Sequence, residues 1–332
     1  INYVANNNYT DLDNVYVYPY LSSLFEVDGI KYVPVIPSKR TCDAIDCSDT
    51  VVNVRINETV SYRNVAMKVE KVMPYTAYNN TLAETVSISH KGNIGSKAFM
   101  NCSGLSSLTL GDNVTSIDND AFKNCTALPK VTLGTNTTSI GNGAFMDCTA
   151  LSELTLCDNL TSIGNSSFQG CTQLSEVVIP GQTTMLGDSC FYGNNLLADI
   201  DLGDGVKTIG QYCFDSSIIP TISIPASVTS IGDYAFNKCT SLADVIINDR
   251  KSELTLGSNG ASPLFASCPL DSVYIGGKIK YNTSSDYGYS PFYRNTSLHT
   301  IVITDKEEEI YDNEFYGCTN LKNVTLGNGV KK

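Results

Sequence analysis

The chain has 332 residues, 42% of them hydrophobic and 17% charged, which describes a folded protein rather than a disordered one. Its formal net charge of −12, with no arginine between Ile94 and Ile247, argues against a nucleic-acid surface, because phosphate binding needs clustered Lys and Arg. No run approaches the roughly 18 consecutive apolar residues of a transmembrane helix, so no membrane span is expected in this chain.

The chain opens on Ile1 without a basic and apolar leader, so any such leader is expected to be gone already. Residues 1 to about 70 carry seven of the nineteen tyrosines and show no internal period, which predicts a β-rich N-terminal cap. Within it, Asp28-Gly29 separates two apolar/polar alternations, Phe25 to Val27 and Ile30 to Tyr32, the signature of a two-residue hairpin. Cys42 and Cys47 also lie here, and a local disulfide between them is left open. Ala77-Tyr78, followed by Leu82, Val86 and Ile88, has the outline of a shortened first repeat that joins the cap to an array spanning residues 71–332.

The array is announced by phenylalanine. Phe99, Phe122, Phe145, Phe168, Phe191 and Phe214 follow one another at intervals of 23, and Phe236, Phe265, Phe292 and Phe315 continue at 22, 29, 27 and 23. A fixed period of this length is the mark of a solenoid. Each unit places Ile five before the Phe, a small residue just before it, Cys three after and Leu six after. Apolar pairs at nine and eleven after, such as Leu108 with Leu110 and Val177 with Ile179, alternate with polar residues, which predicts one short strand per repeat. A single unit cannot bury these side chains alone, whereas stacking aligns the columns into one core. Ten rungs at about 4.8 Å make a parallel sheet on the order of 50 Å long. Glycines at 95, 141, 164, 187, 210 and 232, four before the Phe, imply a positive φ or a tight contact, although Asp118 interrupts that column.

Cys102, Cys125, Cys148, Cys171, Cys239, Cys268 and Cys318 occupy one column, in which Asn194, Ser217 and Asn295 also appear. That exchange predicts a small, partly polar side chain meeting turn backbone, not a disulfide framework. With no Cys-x-x-Cys and two histidines, neither zinc nor another cofactor is expected. Asn-x-Ser/Thr triplets at Asn101, Asn113, Asn124 and Asn159 follow from the repeat's turn residues.

The outward strand positions supply the candidate binding residues. Glu153, Glu176, Asp199, Asp201 and Asp244 read either as a solvated face or as an acidic track for a basic partner or cation. Thr109, Thr132 and Thr155 form a line of hydroxyls that either stabilise the sheet or meet a ligand. An insertion at about 276–293, flanked by Tyr274 and carrying Tyr281, Tyr287, Tyr289 and Tyr293, reads as an aromatic contact surface or as cover for an irregular joint. The final LGNGVKK matches the LGDGVKT that opens another unit, so the last repeat reads as incomplete.

From about Val86 onward, the blocks LTSIGNSSFQGCTQLSEVVIP, VKTIGQYCFDSSIIPTISIP and VTSIGDYAFNKCTSLADVII closely resemble the BspA-like, Treponema-type leucine-rich repeats. The resemblance implies a leucine-rich-repeat solenoid in a secreted or surface-anchored bacterial protein that adheres to host or microbial partners. On these grounds the chain is expected to be a non-enzymatic binding scaffold for a host or microbial surface protein. Glycan capture comes second, since the chain has no tryptophan for sugar stacking. A polysaccharide-acting solenoid enzyme comes last, since the outward acids lack a neighbouring Lys or Arg base.

Overall fold

The computed structural model describes residues 24–36, 39–257, 264–265, 267–281, 290–307, 310 and 314–331. Tyr287 and Tyr289, with the rest of residues 282–289 of the tyrosine-rich insertion, lie outside the described residues.

The first strands are built from local turns. β1 (Phe25–Val27) pairs antiparallel with β2 (Ile30–Ile36) across Asp28 and Gly29, whose φ values of 51° and 77° are the two left-handed conformations of a type I′ turn. β3 (Thr41–Cys47) returns antiparallel to β2. After β4 (Asn53–Ile56), β5 (Thr59–Tyr62) and β6 (Val65–Val72) form a second hairpin through Arg63 and Asn64, again with two positive φ values. Phe25 stacks between Tyr32 and Tyr62, with centroids 5.5 and 4.4 Å away. β3 then pairs parallel with β6, and β6 with Gly92–Ile94, while β4 pairs parallel with Thr85–Ile88. β6 runs through residue 70, so the change in composition there is not a break in the sheet.

Beyond β6 the chain is a parallel β-solenoid with two ladders. The longer strands are those that the Leu/Val alternation predicts: Ser107–Leu110, Lys130–Thr132, Glu153–Thr155, Glu176–Val178, Asp199–Asp201, Thr221–Ile224, Asp244–Ile247, Ser272–Ile275, Thr300–Ile303 and Asn323–Leu326. The second ladder adds a shorter strand to most turns, from Val114–Ile117 through Ser139–Ile140 and Ser162–Ile163 to Ile279–Lys280. Sequence periodicity predicts only one strand per repeat. The second is centred on the Ile five before the Phe and spans as few as two residues, too short for an alternation to register.

The phenylalanine turn is the third wall. Phe99 through Phe315 form a continuous column, with neighbouring centroids 5.2–5.8 Å apart and planes within 22° of parallel. These are offset stacks, the arrangement that ring quadrupoles favour. The turn has left-handed residues two before the Phe (Lys97, Asp120, Gly143, Ser166, Ser189, Tyr212, Tyr234) and two after it (Asn101, Asn124, Asp147, Gly170, Gly193, Ser216). Its amides are satisfied by the following repeat: Phe99 N donates to Ala121 O at 2.8 Å, Phe122 N to Ala144 O at 2.7 Å and Phe168 N to Cys190 O at 2.8 Å.

In the first repeat Ala77 N donates to Ala98 O at 2.7 Å, so Ala77 stands in the Phe column. Leu82 does not enter the core. It is 56% exposed, and Ala83 fills the Leu column in its place.

The glycine column reflects contact, not left-handed backbone. A Cβ on Gly187 would lie 2.5 Å from Asn165 N and Gly164 C of the preceding turn, and Gly187 has no positive φ. Asp118 fits because Asn93 Nδ2 donates to its carboxylate at 2.7 Å. Where the repeat lengthens to 29 residues, Arg250 is drawn inside, 3% exposed. Its guanidinium donates to Val228 O at 2.6 Å, Pro225 O at 2.9 Å and Ile224 O at 3.3 Å, binding the enlarged turn to the one before it.

Candidate binding face

Parallel pairing within four short sheets, continued from one to the next by the 23-residue repeat, sorts the outward side chains of the longer ladder into two columns. Thr85, Ser107, Lys130, Glu153, Glu176, Asp199, Thr221, Asp244, Ser272, Thr300 and Asn323 hold equivalent positions in one. Two residues further along each strand, Thr109, Thr132, Thr155, Val178, Asp201, Ser223, Ile246, Tyr274, Val302 and Thr325 hold the other. The alternation that buries Val131, Val177, Ile200 and Val245 is what turns these residues outward.

Four of the five acids therefore share a column, and Asp201 belongs with the threonines. Glu153, Glu176, Asp199 and Asp201 are exposed, and Asp244 is half-buried. Lys130 Nζ sits 2.8 Å from Glu153 Oε2 on the neighbouring rung, so the expectation of acids without an adjacent base fails at Glu153. Asp244 accepts from Ser272 Oγ at 2.5 Å and Thr221 Oγ1 at 3.4 Å, which makes it part of a cross-rung polar network. Glu176 faces Asp199 in register, and beside them Val178 stands 64% exposed against Asp201. This two-rung patch is acidic around an exposed apolar side chain. Thr109, Thr132 and Thr155 are all exposed.

Tyr281 is not a surface anchor. It is 9% exposed and packs in the hydrophobic core, because Ile279–Lys280 continues the shorter ladder and turns the ring inward. Tyr274 is half-exposed in the threonine column, and its hydroxyl donates to Asp249 Oδ1 at 2.8 Å. Tyr293 is buried to 7% and stacks on Tyr316.

The cysteine column behaves as its Cys/Asn exchange implies. Cys125, Cys148 and Cys171 each place Sγ 3.3 Å from the carbonyl of the phenylalanine 26 residues earlier. Asn295 in the same column donates to Phe265 O and Cys268 O. All twelve cysteines are free, Cys42 and Cys47 among them. Burial pushes the Cys42, Cys47 and Cys102 thiols up to about 12. Two thiols just before the Phe, Cys190 and Cys213, come closer than strand spacing suggests, with 3.2 Å between sulfurs. The sequon asparagines are turn donors: Asn124 Nδ2 to Asn101 Oδ1 at 2.7 Å, and Asn159 Nδ2 to Thr135 O at 2.8 Å.

Sequence reading missed one surface feature. Tyr212 and Tyr234, both in the left-handed position two before the Phe, stack with centroids 4.8 Å apart and planes 2° from parallel. Desolvation, then the stacked Tyr234 phenol and the carboxylates of Asp215 and Asp233, push the Tyr212 phenol upward. Their separation of 22 residues, one repeat, was the available signal. Among the described residues no group of three His, Cys, Asp or Glu side chains is placed to hold a metal, and no helix is long and apolar enough to cross a membrane.

The family model for the BspA type leucine rich repeat region matches in six copies, over residues 71–197, 161–291 and 286–332. The chain belongs to the BspA-type leucine-rich repeat family. As a BspA-type solenoid it is similar in fold to a leucine-rich repeat protein from Bacteroides ovatus ATCC 8483. That likeness has 23% identity over 93% of this chain and 90% of the other, with a TM-score of 0.57. It is also similar to a leucine rich cell surface protein from Faecalibacterium prausnitzii A2-165, at 22% identity over 91% and 94% of the two chains and a TM-score of 0.50. A search among curated proteins finds no match.

Proposed function

We propose that this BspA-type solenoid is a non-enzymatic, cell-surface or secreted scaffold that recognises a host or microbial surface protein through the outward face of its longer ladder. The observation that carries the reading is the exposed patch of Glu176, Asp199 and Asp201 around Val178 on two paired rungs. A backbone already ordered by stacking loses little entropy when it binds. The acids steer a basic partner, and Val178 supplies apolar area at the centre. The cell-surface description of the Faecalibacterium relative supports the location.

The test is surface plasmon resonance of the immobilised protein against candidate host and bacterial surface proteins. The double variant E176K/D199K is expected to weaken a positive interaction at least tenfold with an unchanged melting temperature. Unchanged affinity in that variant would remove this face from the reading. The exposed hydroxyl column of Thr109, Thr132 and Thr155 supports glycan capture as a second reading. Glycan-array binding that is lost in a T132V/T155V variant but kept in E176K/D199K would favour it.

A further inference from the structure

The phenylalanine wall carries an aromatic pair that the fold does not require. The column two before the Phe is left-handed in every repeat from Lys97 to Tyr234, a backbone state that resists bulky side chains. Gly143, Ser166 and Ser189 meet that restriction with small side chains, whereas Tyr212 and Tyr234, with φ of 53° and 59°, do not. Residues held in such conformations persist where the surroundings enforce them, and they concentrate at functional sites. Both rings are half-exposed, and Tyr192 on the preceding turn is 37% exposed. Neither ring adds to the core, which the Phe column already fills.

The surroundings are anionic. Asp215 is 2% exposed, its oxygens taken by Ser216 Oγ at 2.6 Å and Asn237 Nδ2 at 2.7 Å, and it forms no ion pair among the described residues. Asp188 is exposed and accepts from Gln211 N at 2.8 Å. The cations on these repeats are Lys207, five positions before Tyr212, and Lys238, four positions after Tyr234.

The chain itself shows what such rings take. In the same left-handed column, the Tyr75 ring lies 5.6 Å from Lys97 Nζ of the next turn, and Arg294 and Arg63 lie 5.2 and 5.1 Å from the centroids of Tyr293 and Tyr62. Among the described residues no cation covers Tyr212 or Tyr234. On the side of Tyr212 away from Tyr234, the column holds Ser189, too small to cover a ring.

We propose that Tyr212, Tyr234 and Tyr192, in the field of Asp188 and Asp215, form a second recognition site that takes an arginine side chain of a protein partner. The planar guanidinium stacks on the free face of Tyr212 while the carboxylates favour its charge. This site lies on the phenylalanine wall and does not depend on the strand face.

The test uses the folded protein with ring-labelled tyrosine, titrated by NMR with the peptide acetyl-Gly-Arg-Gly-Arg-Gly-amide and its lysine and citrulline counterparts. The arginine peptide is expected to shift the Tyr212 and Tyr234 signals and to bind at least threefold more tightly than the lysine peptide, with citrulline inactive. Tyr212→Asn, a residue that left-handed backbone accepts, is expected to weaken binding at least fivefold with an unchanged melting temperature. E176K/D199K should leave it intact, so failure of the strand face and failure of this site are separable. Three results each overturn the proposal: no saturable shift by 5 mM, equal affinity for lysine and arginine peptides, or full binding in Tyr212→Asn. Tyr212-dependent binding of a neutral oligosaccharide in place of the peptide would reassign the rings to sugar stacking.

Discussion

Phe168 is fully buried between Phe145 and Phe191, while Thr155 stands exposed thirteen residues earlier, on the strand of the Phe145 unit. Phe168→Ala should therefore cost about 3–5 kcal/mol, and Thr155→Ala no more than about 0.5 kcal/mol. Urea midpoints of the two variants check this, and equal midpoints would place the wrong column inside. The thiols offer a second contrast. Eleven cysteines are buried and only Cys157 is half-exposed, its Sγ 3.1 Å from Thr137 O. Burial keeps these eleven out of a reagent's reach, and it raises the Cys42, Cys47 and Cys102 thiols, which disfavours the reactive thiolate there. The native protein is expected to be modified first at Cys157, and the urea-unfolded protein at all twelve positions. Mass spectrometry of a timed thiol-reagent reaction reads both, and a fast phase that survives Cys157→Ser would contradict the packing.

At the scale of elements, β3 carries a buried carboxylate that burial pushes up to about 6, Asp43, 4% exposed between Val33 of β2 and Lys71 of β6. Lys71 opposes that shift without cancelling it. The folded protein thus prefers Asp43 protonated, so its contribution is fully favourable below about pH 4 and is lost as pH rises through 6. Asp43→Asn should match the wild type near pH 4 and exceed it at pH 7 by no more than about 3 kcal/mol. Urea denaturation at the two pH values decides, and a constant difference between them would mean that Asp43 does not titrate in this window. Elements also show what was legible. The longer ladder, the Phe column and the Asp28-Gly29 hairpin could be read because each repeats a pattern over several residues. The shorter ladder could not, since Ser162–Ile163 is two residues long and owes its pairing to neighbours 23 residues away. The candidate face was legible in direction, because strand alternation dictates which residues point outward. The pairing of Lys130 with Glu153 follows from the same 23-residue spacing, which sets the two in register on successive rungs, and it is hidden only when the acids are considered alone. The inward turn of Tyr281 was not legible, since tyrosine-rich composition cannot tell an exposed ring from a buried one.

At the scale of the molecule, each turn rests only on its two neighbours, so stability is a chain of nearest-neighbour terms. Amide exchange is expected to be slowest in the middle turns around Phe145 to Phe236. It should be fastest in Asn323–Leu326, which pairs on one side among the described residues and leaves Val324 and Leu326 about half exposed. Hydrogen exchange followed by peptide mass analysis would show this gradient, and uniform protection would mean that the array unfolds as one unit. The phenylalanine wall has an electrical consequence as well. Strand dipoles alternate and largely cancel, but the wall's amides at Phe99, Phe122, Phe145 and Phe168 all point to the next turn. Each peptide adds about 3.5 debye in the same sense. Along the wall these aligned peptides make a polarised strip, electropositive toward the C-terminal end; its sense belongs to the backbone and not to any titrating group, while Gly141 N and Gly164 N beside it point back to the turn before and salt screens its reach.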